Sequence, residues 1–283
     1  MKVLISADME GVCGVTSWVQ VMPPELGIEP SSTVEYERAR SRMTKEVNAA
    51  AEGAFSAGAT EVIVNDSHDG MRNLVPEELH PELRFISGSD KELGMVQGLQ
   101  EQVDALFFVG YHAKAGTPAA PLAHTWTGYV NDVRLNGVST GEYGLNAVIA
   151  GHFGVPVVLV TGDDKAVTQV KDFIGKHVHG VVVKEGYSTF SAIHIHPGKA
   201  QALIKTAAQK AVADLAQAEP LRLANNSNIE IEFDHQARAD QCLYISGVER
   251  AGDRTVGFVA KDALVMNRTF RALIKASRIQ MSP

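Results

Sequence analysis

The sequence predicts an α/β fold with a mainly parallel sheet flanked by helices and a smaller C-terminal α+β unit. Short apolar runs such as KVLISA, EVIVND, ALFFVG and VPVVLV recur along the first two thirds of the chain. Helical or loop segments separate these runs, and this alternation is typical of parallel strands. The pattern changes after residue 195, so we divide the chain into an α/β domain over residues 1–195 and a smaller unit over residues 196–283.

The first half of the chain begins with KVLISAD, a buried strand that enters a loop of acidic residues and glycines. Residues 19–32 carry three prolines and are predicted to form a loop. In residues 36–57 apolar side chains are mostly three or four apart, which predicts an amphipathic helix that stops at Gly58. The strands EVIVND, RFISG and DALFFVG follow, with a helix predicted over residues 93–99.

The second half begins with a strand over residues 127–135, a helix over GEYGLNAVIAGHFG and the strand VPVVLV. A helix over residues 164–174 and the run GVVVKEG come next. An alanine-rich helix then follows Gly198. In IEIEF, apolar and acidic residues alternate, which is typical of a strand with one face in water. The run TVGFVA and a helix through Leu273 complete the C-terminal unit.

Composition narrows the class of protein. The chain is 45% hydrophobic and 21% charged, as in soluble globular proteins. A net charge of −7 argues against a nucleic-acid partner, which would require clustered lysine and arginine. No apolar stretch approaches the roughly 18 residues of a membrane span, and Met1 does not begin a signal peptide. Because Cys13 and Cys242 are far apart and suggest no disulfide framework, we expect a cytoplasmic protein.

Two carboxylates end the first predicted strand. Asp8 and Glu10 are two residues apart, so their side chains share one face if the strand continues that far. Together they could bind one cation. An acidic loop that caps a helix or faces water is an equally good interpretation of this pair alone.

Two histidines follow later strands in the same way. His68 comes just after VIVND, and His112 comes just after FFVGY. Ligands of open α/β sheets bind at the carboxyl ends of the strands, where these residues are expected to meet Asp8 and Glu10. A single histidine is more often structural, but carboxylates and imidazoles from three strands form a mixed set that zinc accepts. Manganese and cobalt remain alternatives.

Two further residues complete the candidate site. Glu142 begins a predicted helix, where an acid also stabilises the helix dipole in an ordinary structural role. Five ligands are too few to give each of two metals three of its own, so one carboxylate would bridge, and Asp8 is the natural candidate. His124 does not follow a strand; it is either a proton-transfer group or a surface histidine.

Several long phrases resemble the zinc-dependent D-aminopeptidases of the DppA type, peptidase family M55. They are SADMEG, EVIVNDSHDGMRNL, FFVGYHAKAGTPAAPLAHT and VNDVRLNGVSTGEYGLNAVIAGHFGVPVVLVTGDD, which occur in this order over most of residues 1–200. The sequence departs from the family pattern in the proline-rich loop of residues 18–36 and over residues 235–254.

The resemblance implies a metal-binding catalytic domain that holds two zinc ions through Asp8, Glu10, His68, His112 and Glu142, with His124 as the catalytic histidine. It also implies removal of N-terminal D-amino acids from short peptides, and assembly into a ring-shaped homo-oligomer, a decamer in the family. Two alternatives stay open. One is a dinuclear amidase or esterase that acts on another small substrate. The other is a metal- or peptide-binding protein without catalysis.

Other candidate sites are weaker. Two His-x-His pairs, His177 with His179 and His194 with His196, have the spacing of a zinc pair on a strand but no acidic partner at a similar strand end. No P-loop, GxSxG or HExxH motif is present, and nucleotide hydrolysis and serine-type acyl transfer are disfavoured accordingly. Cys13 has no histidine nearby in sequence and is interpreted as a packed thiol.

Overall fold

Two β-sheets and six α-helices make up residues 1–24 and 31–279, the part of the chain that the structure, a computed structural model, describes. Numbered in chain order, the strands are β1 (Lys2–Ala7), β2 (Glu61–Asp66), β3 (Arg84–Ile86), β4 (Ala105–Tyr111), β5 (Val130–Leu135), β6 (Val138–Thr140), β7 (Val157–Asp163), β8 (His179–Ser188), β9 (Ser191–His194), β10 (Ser227–Phe233), β11 (Val248–Arg250) and β12 (Thr255–Ala260). The helices are α1 (Thr33–Ser56), α2 (Glu142–His152), α3 (Asp164–Phe173), α4 (Pro197–Ala213), α5 (Gln236–Cys242) and α6 (Ala263–Ala276).

The larger sheet has seven strands in the order β3-β2-β1-β4-β7-β8-β9. Every neighbouring pair is parallel except β8 with β9. Its central strands β4 and β7 are buried along their whole length, which explains why they appear in the sequence as unbroken apolar runs. One face packs against α1 and α4, and the other shares a core with α2, α6 and the second sheet. The predicted fold class is confirmed.

The second sheet is antiparallel, with five strands in the order β11-β12-β10-β5-β6. In β10 the apolar Ile229, Ile231 and Phe233 are buried, while Glu230 and Glu232 between them are partly exposed. The strand with one wet face that IEIEF predicts is therefore present.

The two sheets divide the chain differently from the predicted boundary at residue 195. Strands β5 and β6 precede that boundary but pair in the second sheet with β10. Helix α4 follows it but packs closely on α1 beside the larger sheet, where a Cβ added to Gly53 would lie 2.3 Å from the carbonyl oxygen of Lys205. The larger sheet ends at His194, before the predicted boundary, whereas the second sheet draws strands from both sides of it. The division into two units stays a prediction.

Most predicted helices are present with shifted ends. Helix α1 begins three residues before the predicted start, where the Ser32 side chain accepts a hydrogen bond from the backbone N–H of Glu35. The helix predicted over residues 93–99 is wrong: the chain forms two 3-10 turns there, because Gly94 and Gly98 have φ values of 56° and 113° that an α-helix cannot contain. None of the described helices is long and apolar enough to cross a membrane.

The predicted loop over residues 19–32 is described only in part. A 3-10 turn, Trp18–Gln20, opens it, and Gln20 closes a capping box with Ser17. Residues 21–23 and 31–32 lie outside helices and strands, as predicted. Residues 25–30, which include Pro30, lie outside the described part of the chain.

The register of the parallel strands determines where the functional residues meet. Ala7 at the end of β1 pairs with Asp66 in β2 and with Val109 in β4. The chain therefore leaves these three strands at one edge of the sheet. Asp8, His68 and His112 follow within two residues of the ends of β1, β2 and β4.

Candidate metal centre

The turn after β1 holds the first two carboxylates at the sheet edge. The backbone N–H of Asp8 donates to the carbonyl oxygen of Val109 at 2.8 Å, and that of Gly11 donates to Gly110 at 2.8 Å. A Cβ at Gly11 would lie 2.0 Å from the carbonyl oxygen of Tyr111. Glycine is therefore required for the turn to pack this closely on β4, and the turn places the buried Asp8 and Glu10 side by side.

His68 faces both of these carboxylates. Its Nδ1 lies 3.3 Å from Oδ1 of Asp8 and 3.0 Å from Oε2 of Glu10. Its Nε2 lies 2.7 Å from the carbonyl oxygen of Val21, which follows the 3-10 turn Trp18–Gln20. His68 reaches the site from a different strand and is buried, like the two acids.

His112 and Glu142 form the other side of the site. Nε2 of His112 lies 3.5 Å from Oδ2 of Asp8 and 3.5 Å from Oε1 of Glu142. Glu142 is the first residue of α2, and its Oε1 accepts a hydrogen bond from the backbone N–H of Trp126 at 2.6 Å. The two oxygens of Asp8 thus face different imidazoles.

His124 joins the cluster from the loop between β4 and β5. Its Nε2 is 3.9 Å from Oε1 of Glu10 and 3.7 Å from Oε1 of Glu142. Its ring stacks on that of His112, with centroids 4.1 Å apart, and meets the edge of Trp18 at 5.4 Å. With 15% of its side chain exposed, against 8% or less for the other five residues, His124 is the member of the cluster most open to solvent.

All three imidazoles are anchored through one ring nitrogen. Nδ1 of His112 lies 3.0 Å from its neighbour's carbonyl at Ala113, and Nδ1 of His124 lies 2.9 Å from that of Leu122. Nε2 of His68 contacts the Val21 carbonyl in the same way. Because a carbonyl oxygen only accepts, each of these nitrogens carries the proton. The opposite nitrogen of each ring faces the carboxylates, so it is the atom available to ligate a metal, as metal-ligating histidines require.

The pKa values of the cluster are shifted because three carboxylates are buried close together without a lysine or arginine from the described part of the chain in an ion pair with them. Burial, reinforced by the charge of Glu10, raises the pKa of Asp8 to about 7. Burial would lower the pKa of His112, but Glu142 and Asp8 outweigh it and raise that pKa to about 10. Oδ2 of Asp8 has no hydrogen-bond partner among the described residues. The protein alone therefore balances this charge only with protons on its imidazoles.

This donor set fits a divalent cation. Two overlapping groups have ligand atoms within 4.8 Å of one another: Asp8, Glu10 and His112 form one, and His112, His124 and Glu142 form the other. Carboxylate oxygens and imidazole nitrogens are the ligands that zinc and similar ions accept. The structure thus brings together all six residues that the sequence singles out, from β1, β2, β4, α2 and one loop.

The competing histidine pairs do not form such a group within residues 1–24 and 31–279. His179 ion-pairs through Nε2 with Asp214 at 3.0 Å. Nδ1 of His194 accepts a hydrogen bond from the backbone N–H of Gly14, and His196 caps α4. Each of these three histidines has a structural partner, and none belongs to a metal-binding group of the described residues.

Cys13 is a packed thiol, as predicted. It is buried, and its Sγ donates to the carbonyl oxygen of Ile195 at 3.1 Å. Burial and the neighbouring Glu46 raise the pKa of the thiol to about 11. The thiolate that a nucleophile or a metal ligand needs is therefore disfavoured here.

Sequence analysis missed two buried charged residues behind the site. Lys184 lies in β8 and directs its ammonium at the turn after β1, where it donates to the carbonyl oxygen of Glu10. Glu46 lies on α1, and its Oε1 accepts the backbone N–H of Cys13 at 2.9 Å. A charged residue inside an apolar run, as in VVVKEG, is the only sequence feature that marks either of them.

Glu46 gives the protein a stability that depends on pH. Burial raises its pKa from 4.5 to about 7, against the opposing effects of the Cys13 N–H and Lys184. The folded state therefore holds a proton that the unfolded state releases, so this contribution is complete below pH 4.5 and is lost as the pH rises to about 7. Glu46→Gln keeps the acceptor and removes the ionisation. We expect the free energy of unfolding of Glu46→Gln, relative to that of the wild type, to increase by up to about 3 kcal/mol from pH 5 to pH 8.

Urea unfolding of the metal-free proteins at the two pH values measures this difference. The exposed Glu37 on the same helix supplies the matched control, Glu37→Gln, for which the difference from wild type should not change with pH. If the difference between Glu46→Gln and wild type is the same at pH 5 and pH 8, Glu46 does not titrate in this range.

A parallel sheet whose carboxyl edge gathers three carboxylates and three imidazoles in a buried cluster defines a metal-dependent hydrolase of the α/β class. The chain belongs to the peptidase M55 family of D-aminopeptidases, whose model matches residues 1–272. It is 36% identical over 282 residues to a D-aminopeptidase from Bacillus subtilis (strain 168), covering 99% of this chain and 98% of that protein.

A solved structure supports the same assignment. The fold matches that of a Zn-dependent D-aminopeptidase, DppA from Bacillus subtilis, described as a self-compartmentalizing protease. The TM-score is 0.92 with 33% sequence identity, and the match covers 100% of both chains. The family resemblance found in the sequence is confirmed, and the family match continues to residue 272, beyond the region that holds the matching phrases.

Proposed function

We propose that this chain is a zinc-dependent aminopeptidase that releases N-terminal D-amino acids from short peptides. The observation that carries the proposal is the buried cluster in which three imidazoles, each anchored through one ring nitrogen, turn the other nitrogen toward three carboxylates. Membership of the D-aminopeptidase family supplies the substrate class.

We further propose that the centre holds two zinc ions per chain, bridged by Asp8. Oδ1 of Asp8 faces His68 at 3.3 Å, whereas Oδ2 faces His112 at 3.5 Å. Glu10 accompanies His68 on one side, and Glu142 accompanies His112 on the other. This arrangement supports one position for an ion on each side of Asp8, with Glu10 and His68 as ligands of the first and His112 and Glu142 as ligands of the second.

Bound zinc supplies a water of lowered pKa and polarises the scissile carbonyl. The chain itself supplies His124 as the catalytic residue. Its Nδ1 is tied to the Leu122 carbonyl, which leaves Nε2 free to accept a proton or to attack. Burial and the nearby His112 lower the pKa of His124, so the ring is kept in the neutral form that either role needs. Trp18, packed edge-on against this ring, limits its movement.

The proposal is tested by zinc analysis of the purified protein and by amino-acid release from matched D-Ala and L-Ala dipeptides, before and after chelation. We expect two zinc ions per chain and release from the D-dipeptide that chelation abolishes and zinc restores. Bound zinc together with faster hydrolysis of another amide or ester would contradict the proposed substrate and indicate an amidase or esterase. Bound zinc without any turnover would indicate a binding protein, and absence of zinc would contradict the proposed centre.

An exposed apolar tip on the β8–β9 hairpin supports a proposal about assembly. Tyr187, Phe190 and Ile193 are each more than half exposed there. Because such a patch is costly to leave in water, and because the matched structure is described as self-compartmentalizing, we propose a ring-shaped homo-oligomer. The family resemblance implies a decamer. Light scattering should give ten times the chain mass of 30.4 kDa. A monomer would contradict the proposal.

We propose that the protein works in the cytoplasm. Both cysteines, Cys13 and Cys242, are free and buried. Thiols in this state suit a reducing compartment. Fractionation of the source cells, followed by detection of the protein with an antibody, tests this location.

A further inference from the structure

Lys184 is a buried lysine whose ammonium is fully occupied by backbone carbonyls. Only 1% of the residue is exposed. Its Nζ donates to the carbonyl oxygens of Glu10 at 2.5 Å, Val15 at 2.7 Å and Val12 at 3.2 Å. An ammonium has three protons to donate, and each one has an acceptor in this single turn of the chain.

The turn that Lys184 holds belongs to the metal centre. It begins at Glu10, whose side chain faces His68 and His124. Six residues beyond Val15, the carbonyl oxygen of Val21 anchors the Nε2 of His68. Between them lies Trp18, which packs on His124. The segment of residues 10–21 thus contacts the cluster at three places, and Lys184 is bonded to its first half.

No carboxylate oxygen lies within ion-pair distance of this ammonium in the described part of the chain, although burying an unpaired charge is costly. Burial lowers the pKa of Lys184 to about 8, while Asp163, Glu46 and Glu10 oppose the shift. The ammonium therefore remains mostly charged at neutral pH. The acidic residues around it offset part of the cost of burial, and the three carbonyls satisfy its protons.

We propose that Lys184 is a positioning residue of the metal centre: it fixes the turn of residues 10–15 so that Glu10 presents its carboxylate beside His68. This inference rests on the proposed function for the identity of the ion. Removal of the ammonium leaves the buried carbonyls of Glu10 and Val15 without a donor, while that of Val12 keeps the backbone N–H of Val15. The turn then has to rearrange, and the carboxylate of Glu10 moves with it. Groups that orient metal ligands in this way typically account for 10- to 100-fold in metal affinity.

The test is the zinc affinity of metal-stripped Lys184→Met, measured by competition with a chelator at a temperature where circular dichroism shows it folded. Methionine keeps the apolar stem but has no charge and no donor. We expect one of the two sites to lose at least about tenfold in affinity. The matched control is Arg238→Met, which removes a buried cation from helix α5. There Arg238 donates to the Asp234 side chain and to the Ser277 carbonyl oxygen. Its zinc affinity should equal that of the wild type.

Two outcomes separate this role from a structural one. A folded Lys184→Met with wild-type zinc affinity at both sites would overturn the inference, even if its melting temperature falls. If that variant does not fold, Lys184→Gln is judged by the same criterion, because its amide is uncharged and one bond too short to take the place of the ammonium. Zinc affinity is measured without a peptide, so the two failures are distinct. The inference fails if the variant binds zinc as tightly as the wild type, whereas the proposed function fails if the wild type binds no zinc.

Discussion

Asp8→Asn is expected to reduce the release of D-amino acids by at least about 1000-fold and to lower the zinc content from two ions per chain to one or none. Asp8 is the residue whose two oxygens face the two halves of the cluster, His68 on one side and His112 on the other. The amide keeps the shape of the side chain but replaces a charged oxygen by a neutral group that cannot bridge two cations. A 1000-fold lower rate corresponds to a loss of about 4 kcal/mol in the stabilisation of the transition state by the metals.

The same variant should have the opposite effect on the metal-free protein. Burial raises the pKa of Asp8 to about 7, so ionisation of this carboxyl destabilises the fold as the pH rises from 3.8 to about 7. Asparagine does not ionise, and metal-free Asp8→Asn should therefore unfold at higher urea concentration than the metal-free wild type at pH 8. An activity lost together with stability would indicate misfolding rather than loss of a ligand.

Asp90→Asn is the matched control for this substitution. The Asp90 side chain is 82% exposed, and its φ of 62° suits asparagine as well as aspartate. Zinc content, activity and stability should stay at wild-type values. If Asp8→Asn retains two zinc ions, Asp8 does not bridge the centre, and Glu10 is the next carboxylate to consider because it faces both His68 and His124.

The four residues at strand ends could be predicted from sequence because a local pattern and a general rule together place them. An apolar run marks a buried parallel strand, and parallel strands in one sheet end at the same edge. Asp8, Glu10, His68 and His112 each follow such a run, and the structure brings them within 3.5 Å of at least one other member of the cluster.

His124 lies beyond the reach of that rule. Its loop turns through Leu122 and Trp126, two non-glycine residues with φ values of 52° and 67°, and no sequence pattern predicts that conformation. The family resemblance identified His124, and the structure shows how it reaches the site: the Leu122 carbonyl holds its ring, and the Trp126 N–H binds Glu142.

Long-range pairing explains what local patterns missed. Strands β5 and β10 are neighbours in the second sheet although nearly 100 residues separate Leu135 from its partner Ile229. Lys184 is visible in the sequence only as a lysine in an apolar run, since its acceptors lie 169 to 174 residues away in the chain. No short stretch of the sequence contains both strands or both partners of these hydrogen bonds, so the two contacts are seen only in the folded chain.

His124→Ala is expected to retain two zinc ions and to lose activity by about 100- to 10000-fold, the usual contribution of a positioned acid or base. The side chain is the most exposed of the cluster, and its Nε2 lies farther from the carboxylates, at 3.7 and 3.9 Å, than the nitrogens of His68 and His112 that we propose as ligands. It is therefore placed to meet a substrate beside the metals rather than to hold them.

Zinc content and kcat are measured on the same preparation, with His152→Ala as the matched control. His152 lies at the last position of α2, ten residues along the helix from Glu142, so its removal should change neither quantity. If His124→Ala loses one zinc ion, His124 is a ligand within the group it forms with His112 and Glu142, and another residue performs the proton transfer. Full activity with full zinc would remove His124 from the mechanism altogether, because no step would then need its imidazole.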